Sequence, residues 1–182
     1  YWRASTDNDK KESVDAKWKT ANENVQIDEV SVNKENKVVY VSVARTLKNC
    51  ADSKDRITYA IYANGEIVVK ATMAPNSNMS NLQRVGTRLQ LAAGLDNLTW
   101  YGRGESDSYS DRKTGYDVGV WNSTVDEQFT NYVYAQETGN KTDVRWMAVT
   151  DADGDGLLVD AQDHLLEMSA LNCTQDALEP AK

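Results

Sequence analysis

The sequence predicts an all-β chain built as an antiparallel sandwich, and three observations carry that expectation. Apolar and polar residues alternate over several short runs; an Asn-Gly pair joins two of them; helix signals are almost absent. At 182 residues the chain is long enough to bury a substantial core, and a single domain over 1–182 is expected. There is no internal repeat and no low-complexity linker.

Taken in order, Ser13–Ala21 carries a weak helix signal, worth a turn or two. Lys37–Arg45 alternates, with Val39, Val41 and Val43 on one face and Val38, Tyr40 and Ser42 on the other. Ile57–Ala63 and Glu66–Met73 flank Asn64–Gly65 and predict a hairpin with a two-residue turn in which both positions take positive φ. Arg84–Leu91 alternates through Val85, Thr87, Leu89 and Leu91 and is expected to be a strand. Val144–Thr150, Gly156–Asp160 and Leu165–Leu171 continue the strand pattern, and Thr174 is placed to cap a short C-terminal helix. Trp100 and Trp146 lie within strand patterns and are expected to fill the core. Trp2 and Trp121, in less regular surroundings, are the better candidates for an interface or a sugar contact.

Charge narrows the function classes. A net charge of -8 and a pI near 4.7 argue against nucleic acid, since phosphate binding needs a clustered Lys/Arg face. No stretch approaches the ~20 apolar residues of a membrane-spanning helix, so no membrane partner is expected. Cys50 and Cys173 are too few for a disulfide framework and lack metal-ligand spacing. His164, the single histidine, rules out a multi-histidine metal site and sits in the polar turn Asp160–His164. Asp151-Ala152-Asp153-Gly154-Asp155-Gly156 matches the first half of a calcium loop, but the position that should hold a bidentate Glu is the neutral Gln162. Strand-like flanks favour a hairpin turn there, with no metal expected. With 28 Asp and Glu, proximity of two carboxylates is uninformative, and no local pattern marks a buried acid among Glu105, Asp107, Asp111 and Glu137.

Three blocks are more specific than any short consensus. The chain opens with Tyr1-Trp2-Arg3-Ala4-Ser5-Thr6-Asp7-Asn8-Asp9; Leu95-Asp96-Asn97-Leu98-Thr99-Trp100-Tyr101-Gly102-Arg103-Gly104 follows, with Tyr109–Gly115 behind it; then comes Gln136-Glu137-Thr138-Gly139-Asn140-Lys141-Thr142-Asp143-Val144-Arg145-Trp146. In this order they resemble the C-terminal small-chain domain (domain 5) of the glycoside hydrolase family 2 β-galactosidases, from Tyr1 to about Leu178. The resemblance implies a β-supersandwich similar to galactose mutarotase. It also implies that the family's domain continues past this chain, leaving a sandwich truncated at its C-terminus with an exposed edge. Beginning inside a motif without Met or signal peptide, the chain reads as an excised part of a longer protein, of bacterial cytoplasm or periplasm. The sequons at Asn97, Asn122, Asn140 and Asn172 would matter only in a secreted eukaryotic protein.

The resemblance further implies a non-catalytic role. Both catalytic carboxylates of the family come from a separate TIM barrel, whose enzyme hydrolyses terminal β-D-galactosides such as lactose with retention. The Gln136–Arg145 loop, with Glu137, Thr138, Gly139, Asn140, Lys141 and Arg145, is implied to lie near the mouth of the sugar pocket. There Gly139 would let it move. Arg3, Asp7 and Asn8 are implied to hold the domain against its neighbours. Mg²⁺ and Na⁺ are implied for the parent enzyme, with no ligands marked here, and the parent is compatible with a homo-oligomer. Two departures from the family bear on this. Ser5, Gln83, Ala92, Glu105 and Ala135 stand where it has proline, which predicts looser loops. Its G-P-x-E-N-Y run is Gly104–Tyr109 here, so contacts of that Glu and Asn do not carry over. The rival readings are a free-standing carbohydrate-binding module, which would bind sugar alone, and a mutarotase-like enzyme, which the lone His164 disfavours.

Overall fold

The computed structural model describes residues 1–6, 8, 9, 16–79 and 81–179. Ten strands form among the described residues: β1 (Val25–Glu35), β2 (Val38–Leu47), β3 (Ser53–Ile61), β4 (Ile67–Ala74), β5 (Asn97–Arg103), β6 (Val118–Thr124), β7 (Lys141–Val144), β8 (Trp146–Thr150), β9 (Gly156–Asp160) and β10 (Leu166–Met168). Every pairing is antiparallel, so the all-β antiparallel class read from the alternation is the one observed. The chain divides into two compact units, Tyr1–Arg3 with Asn8–Arg88, and Ala4–Asp7 with Leu89–Lys182.

The first unit is a four-stranded meander in the order β1-β2-β3-β4. Its first turn, Asn36–Lys37, has two residues, both with positive φ (49° and 69°), between Glu35 and its partner Val38. Asn tolerates that geometry and Lys does so at a cost, which is why sequence inspection passes over it. The hairpin predicted at Asn64–Gly65 is present, with Ile61 opposite Ile67, but its turn is of another kind. Gly65 N–H donates to the Tyr62 carbonyl (3.2 Å), Tyr62 N–H donates to the Glu66 carbonyl (2.9 Å), and Gly65 (φ +91°) takes positive φ while Asn64 does not. This is the three-residue loop closed by a left-handed glycine. Asn64 instead uses its side-chain oxygen to accept the Glu66 N–H at 3.1 Å.

The core of this unit is Trp18, Ala21, Leu47 and Cys50, with Tyr1, Trp2, Val25 and Met73 packed against it. Within the helix signal of 13–21, part of which lies outside the described residues, Ala16–Trp18 forms a single 3₁₀ turn. Arg84–Leu91 corrects the reading most clearly: it alternates but pairs with no strand among the described residues, and Val85 and Leu89 are exposed. Alternation makes a segment competent to pair; only a neighbouring edge supplies the hydrogen bonds.

The second unit holds a four-stranded sheet, β6-β5-β8-β9, and a two-stranded one, β10-β7. Leu98, Trp100, Val125, Val144, Met147 and Val149 form its core. The single strand expected over 144–150 is two strands, broken at Arg145, whose N–H donates to the Tyr101 carbonyl at 2.7 Å. Trp146 corrects the core expectation: it is only half-buried and meets Tyr101 edge-on, with ring centres 6.5 Å apart. Trp121 is not in irregular surroundings but in β6, directly opposite Trp100. β9 matches its expected range, while β10 spans three residues of the seven expected. The C-terminal turn Gln175–Leu178 is 3₁₀, and Thr174 precedes it without a side-chain cap.

Candidate functional site

The block 136–146 is where sequence and structure both concentrate. Its centre is buried: Glu137 is 2% exposed, Thr138 and Asn140 0%, and Lys141 2%. The polar groups are tied to the chain around them. Thr138 Oγ1 accepts the Thr130 N–H (2.8 Å) and donates back to the Thr130 carbonyl (3.2 Å). The Asn140 side-chain amide donates to the Ser108 carbonyl (2.9 Å) and to Glu167 (3.0 Å), and the Ser108 N–H donates to the Asn140 carbonyl (2.7 Å). Ser108 Oγ accepts the Thr142 N–H at 3.0 Å and lies 2.9 Å from Thr142 Oγ1. Asn140 Oδ1 and the Tyr109 hydroxyl are buried without a hydrogen-bond partner among the described residues.

Gly139 lies in a tightly packed part of this segment. Its φ is +75°, and a Cβ there would lie 2.9 Å from the Gln128 carbonyl oxygen and 3.0 Å from Leu171. Glycine suits this left-handed, close-packed backbone, where a side chain would be strained.

Around this segment stand ionisable groups that sequence reasoning did not assemble. The Tyr132 hydroxyl donates to the buried Asp107 at 2.6 Å and accepts from Arg112 at 2.5 Å. Burial, with the charges of Glu137 and Asp107, raises the Tyr109 phenol above its usual range. Lys141 lies with its ammonium 4.9 Å from the Trp100 ring centre, and burial lowers its pKa to about 8 against the pull of Asp107. Asp143, at φ +52°, accepts from Lys113 (2.8 Å) and Arg103 (2.6 Å), which hold its carboxyl below the ordinary range. Arg103 also donates to the Tyr116 carbonyl at 2.6 Å, and Arg145 stacks 5.2 Å from the Tyr101 ring. Arg103 and Lys113 lie in the blocks that the sequence singles out, but the left-handed Asp143 that joins them left no signal.

The remaining candidates fall elsewhere. Arg3 pairs with Asp9 at 3.2 Å, Asn8 is exposed, and Asp7 lies outside the described residues. Asp151–Gly156 closes the β8–β9 hairpin: Asp151 Oδ1 accepts the N–H groups of Asp153 (3.0 Å) and Asp155 (2.9 Å). His164 is exposed in a turn, and neither cysteine is in a disulfide. Among the described residues no three His, Cys, Asp or Glu come together as a metal site, and no helix is long and apolar enough to cross a membrane.

The fold defines an all-β antiparallel chain, and its polar network around 136–146 braces its own backbone. The sequence model of the β-galactosidase small chain matches residues 1–182, and the chain belongs to that family. It is 37% identical over 162 residues to a β-galactosidase of Priestia megaterium, covering 87% of this chain and 16% of that one. Over its whole length it is 32% identical to a β-galactosidase of Lactobacillus delbrueckii subsp. bulgaricus and 28% identical to one of Streptococcus thermophilus, spanning 18% of each. The chain therefore spans less than a fifth of these relatives.

Proposed function

We propose that this chain is a non-catalytic β-structural region of an enzyme that hydrolyses terminal β-D-galactosides with retention, with the acid and nucleophile supplied by a catalytic barrel outside it. The observation that carries this is the use made of the carboxylates of known partner. Asp55 is clamped by Arg45 at 2.8 and 2.6 Å, Asp107 receives the Tyr132 hydroxyl, and Asp143 is held by two cations. Such groups are engaged as ion-pair and hydrogen-bond acceptors within the scaffold, whereas a glycosidase acid must hold and release a proton at the scissile bond.

In this reading Gln136–Arg145 shapes the sugar pocket of the parent as a rigid wall, and Arg3, Asp7 and Asn8 lie toward neighbouring domains. In this reading the fold is a supersandwich similar to galactose mutarotase, a likeness that carries no activity with it. The Mg²⁺ and Na⁺ implied for the parent would be held by residues outside this chain. The test is Gly139→Ala in the complete enzyme, with kcat and KM measured across pH. A wall bordering substrate moves both constants and leaves the pH profile of the distant carboxylates in place. Unchanged constants in a folded variant would remove the loop from the pocket.

A further inference from the structure

Asn64–Gly65 is the one place in the 182 residues where asparagine precedes glycine. It forms the tip of the β3–β4 hairpin, and every residue from Ile61 to Ile67 is exposed. A Cβ placed on Gly65 would meet no atom within 4 Å, so its backbone lies open to solvent. The Asn64 side chain is held in one place there, with its Oδ1 accepting the Glu66 N–H at 3.1 Å. That bond closes an Asx-turn, which mimics a backbone turn and brings the side-chain carbonyl carbon close to the nitrogen of the residue between, Gly65. The Glu66 N–H also polarises the side-chain carbonyl. It stands where negative charge would gather on Oδ1 if a nucleophile added to that carbon.

We propose that Asn64 is a modification site, deamidated without an enzyme through a cyclic imide. The Gly65 main-chain nitrogen attacks Asn64 Cγ. A Cγ–N bond forms, the Cγ–Nδ2 bond breaks, and the Gly65 proton passes through solvent to the departing group, which leaves as ammonia. Water then opens the five-membered ring. Attack at Cγ gives aspartate with the main chain unchanged. Attack at the Asn64 main-chain carbonyl reroutes the chain through the side chain and gives isoaspartate, with an extra methylene in the hairpin tip. Water is the sole co-reactant.

One contact opposes the step: the Gly65 N–H donates to the Tyr62 carbonyl at 3.2 Å and has to be released first. A single long bond at an exposed tip opens at little cost. Asn76 shows which feature matters, because its Oδ1 accepts the Asn78 N–H at 2.9 Å in the same kind of turn. The residue between is Ser77, whose Cβ crowds the approach, whereas glycine has none and leaves the backbone free to close the ring. Asn122 differs further, being held extended within β6.

The test incubates the full-length enzyme at pH 8 and reads residues 64, 76 and 122 by peptide mass spectrometry, with chromatography separating aspartate from isoaspartate. A second sample of the same protein is kept in denaturant. The expected result is conversion at Asn64 in the native enzyme at least about tenfold faster than at Asn76 or Asn122, and within about tenfold of the denatured rate. Both products should form at position 64, and both should vanish in Asn64→Gln, whose longer side chain closes the larger ring poorly. Native conversion at Asn64 no faster than at Asn76 would overturn the proposal. So would an intact Asn64 in the native enzyme beside conversion in denaturant, which means that the fold protects the tip. Aspartate without isoaspartate would equally overturn it, because direct hydrolysis of the amide leaves the main chain in place.

Discussion

The ammonium of Lys141 lies 4.9 Å from the centre of the Trp100 ring, at a position 2% exposed, so a charged group has been taken from water with a π-face as its nearest recorded compensation. Its folded pKa of about 8 is below the 10.5 of the unfolded chain. The folded state therefore binds fewer protons between those values, and stability rises as pH climbs from about 8 to 10.5, with the full penalty present below 8. Lys141→Met, which keeps volume and removes the charge, should raise unfolding stability at pH 7 by on the order of 2 kcal/mol. The gain should shrink toward pH 10. Denaturant unfolding at both pH values measures it; a loss at pH 7 would mean the cation is net favourable where it stands.

Asp143 works in the opposite sense. Lys113 first, then Arg103, lowers its carboxyl, so its contribution is present above the ordinary carboxylate value and is lost as pH falls through the lower folded value. Asp143→Ala should cost about 1–2 kcal/mol, since it leaves two partly exposed cations facing each other and puts alanine at φ +52°. Asp143→Asn, which tolerates that φ, should cost less. Thermal unfolding of the pair separates backbone strain from lost charge.

Much of the fold was legible. Strands β3, β4 and β9 follow from period-two alternation because each pairs within a hairpin that the local sequence specifies, and β2 follows from its alternation alone. Arg84–Leu91 was misread because alternation cannot report whether a pairing edge is present. β1 was missed because ten of its eleven residues are exposed and its bulge at Asp28 breaks the period. The stretch 136–146 stands out in the sequence, and a polar network gathers there in the structure. Its partners Asp107, Ser108, Tyr132 and Glu167 come from distant chain positions that no spacing rule joins.

The Asn36–Lys37 turn offers a gain. Lys37 at φ +69° bears a left-handed strain of about 1 kcal/mol that glycine relieves. Lys37→Gly should therefore raise the melting temperature by a few degrees. Gly65→Ala at φ +91° should lower it.

Calcium titration into the chain is expected to give no heat at micromolar concentrations, because Asp151 Oδ1 is already engaged by two backbone N–H groups and Gln162 carries no charge. A micromolar isotherm abolished by Asp153→Asn would reverse that expectation.

The central claim is that the reacting carboxylates lie outside this chain, and the most direct measurement is hydrolysis of a chromogenic β-galactoside by the purified 182-residue chain beside the full-length enzyme. The account predicts turnover by the full-length enzyme and none above the uncatalysed rate by the chain. Hydrolysis by the chain that survives repurification and is lost with Asp107→Asn or Glu137→Gln would contradict it.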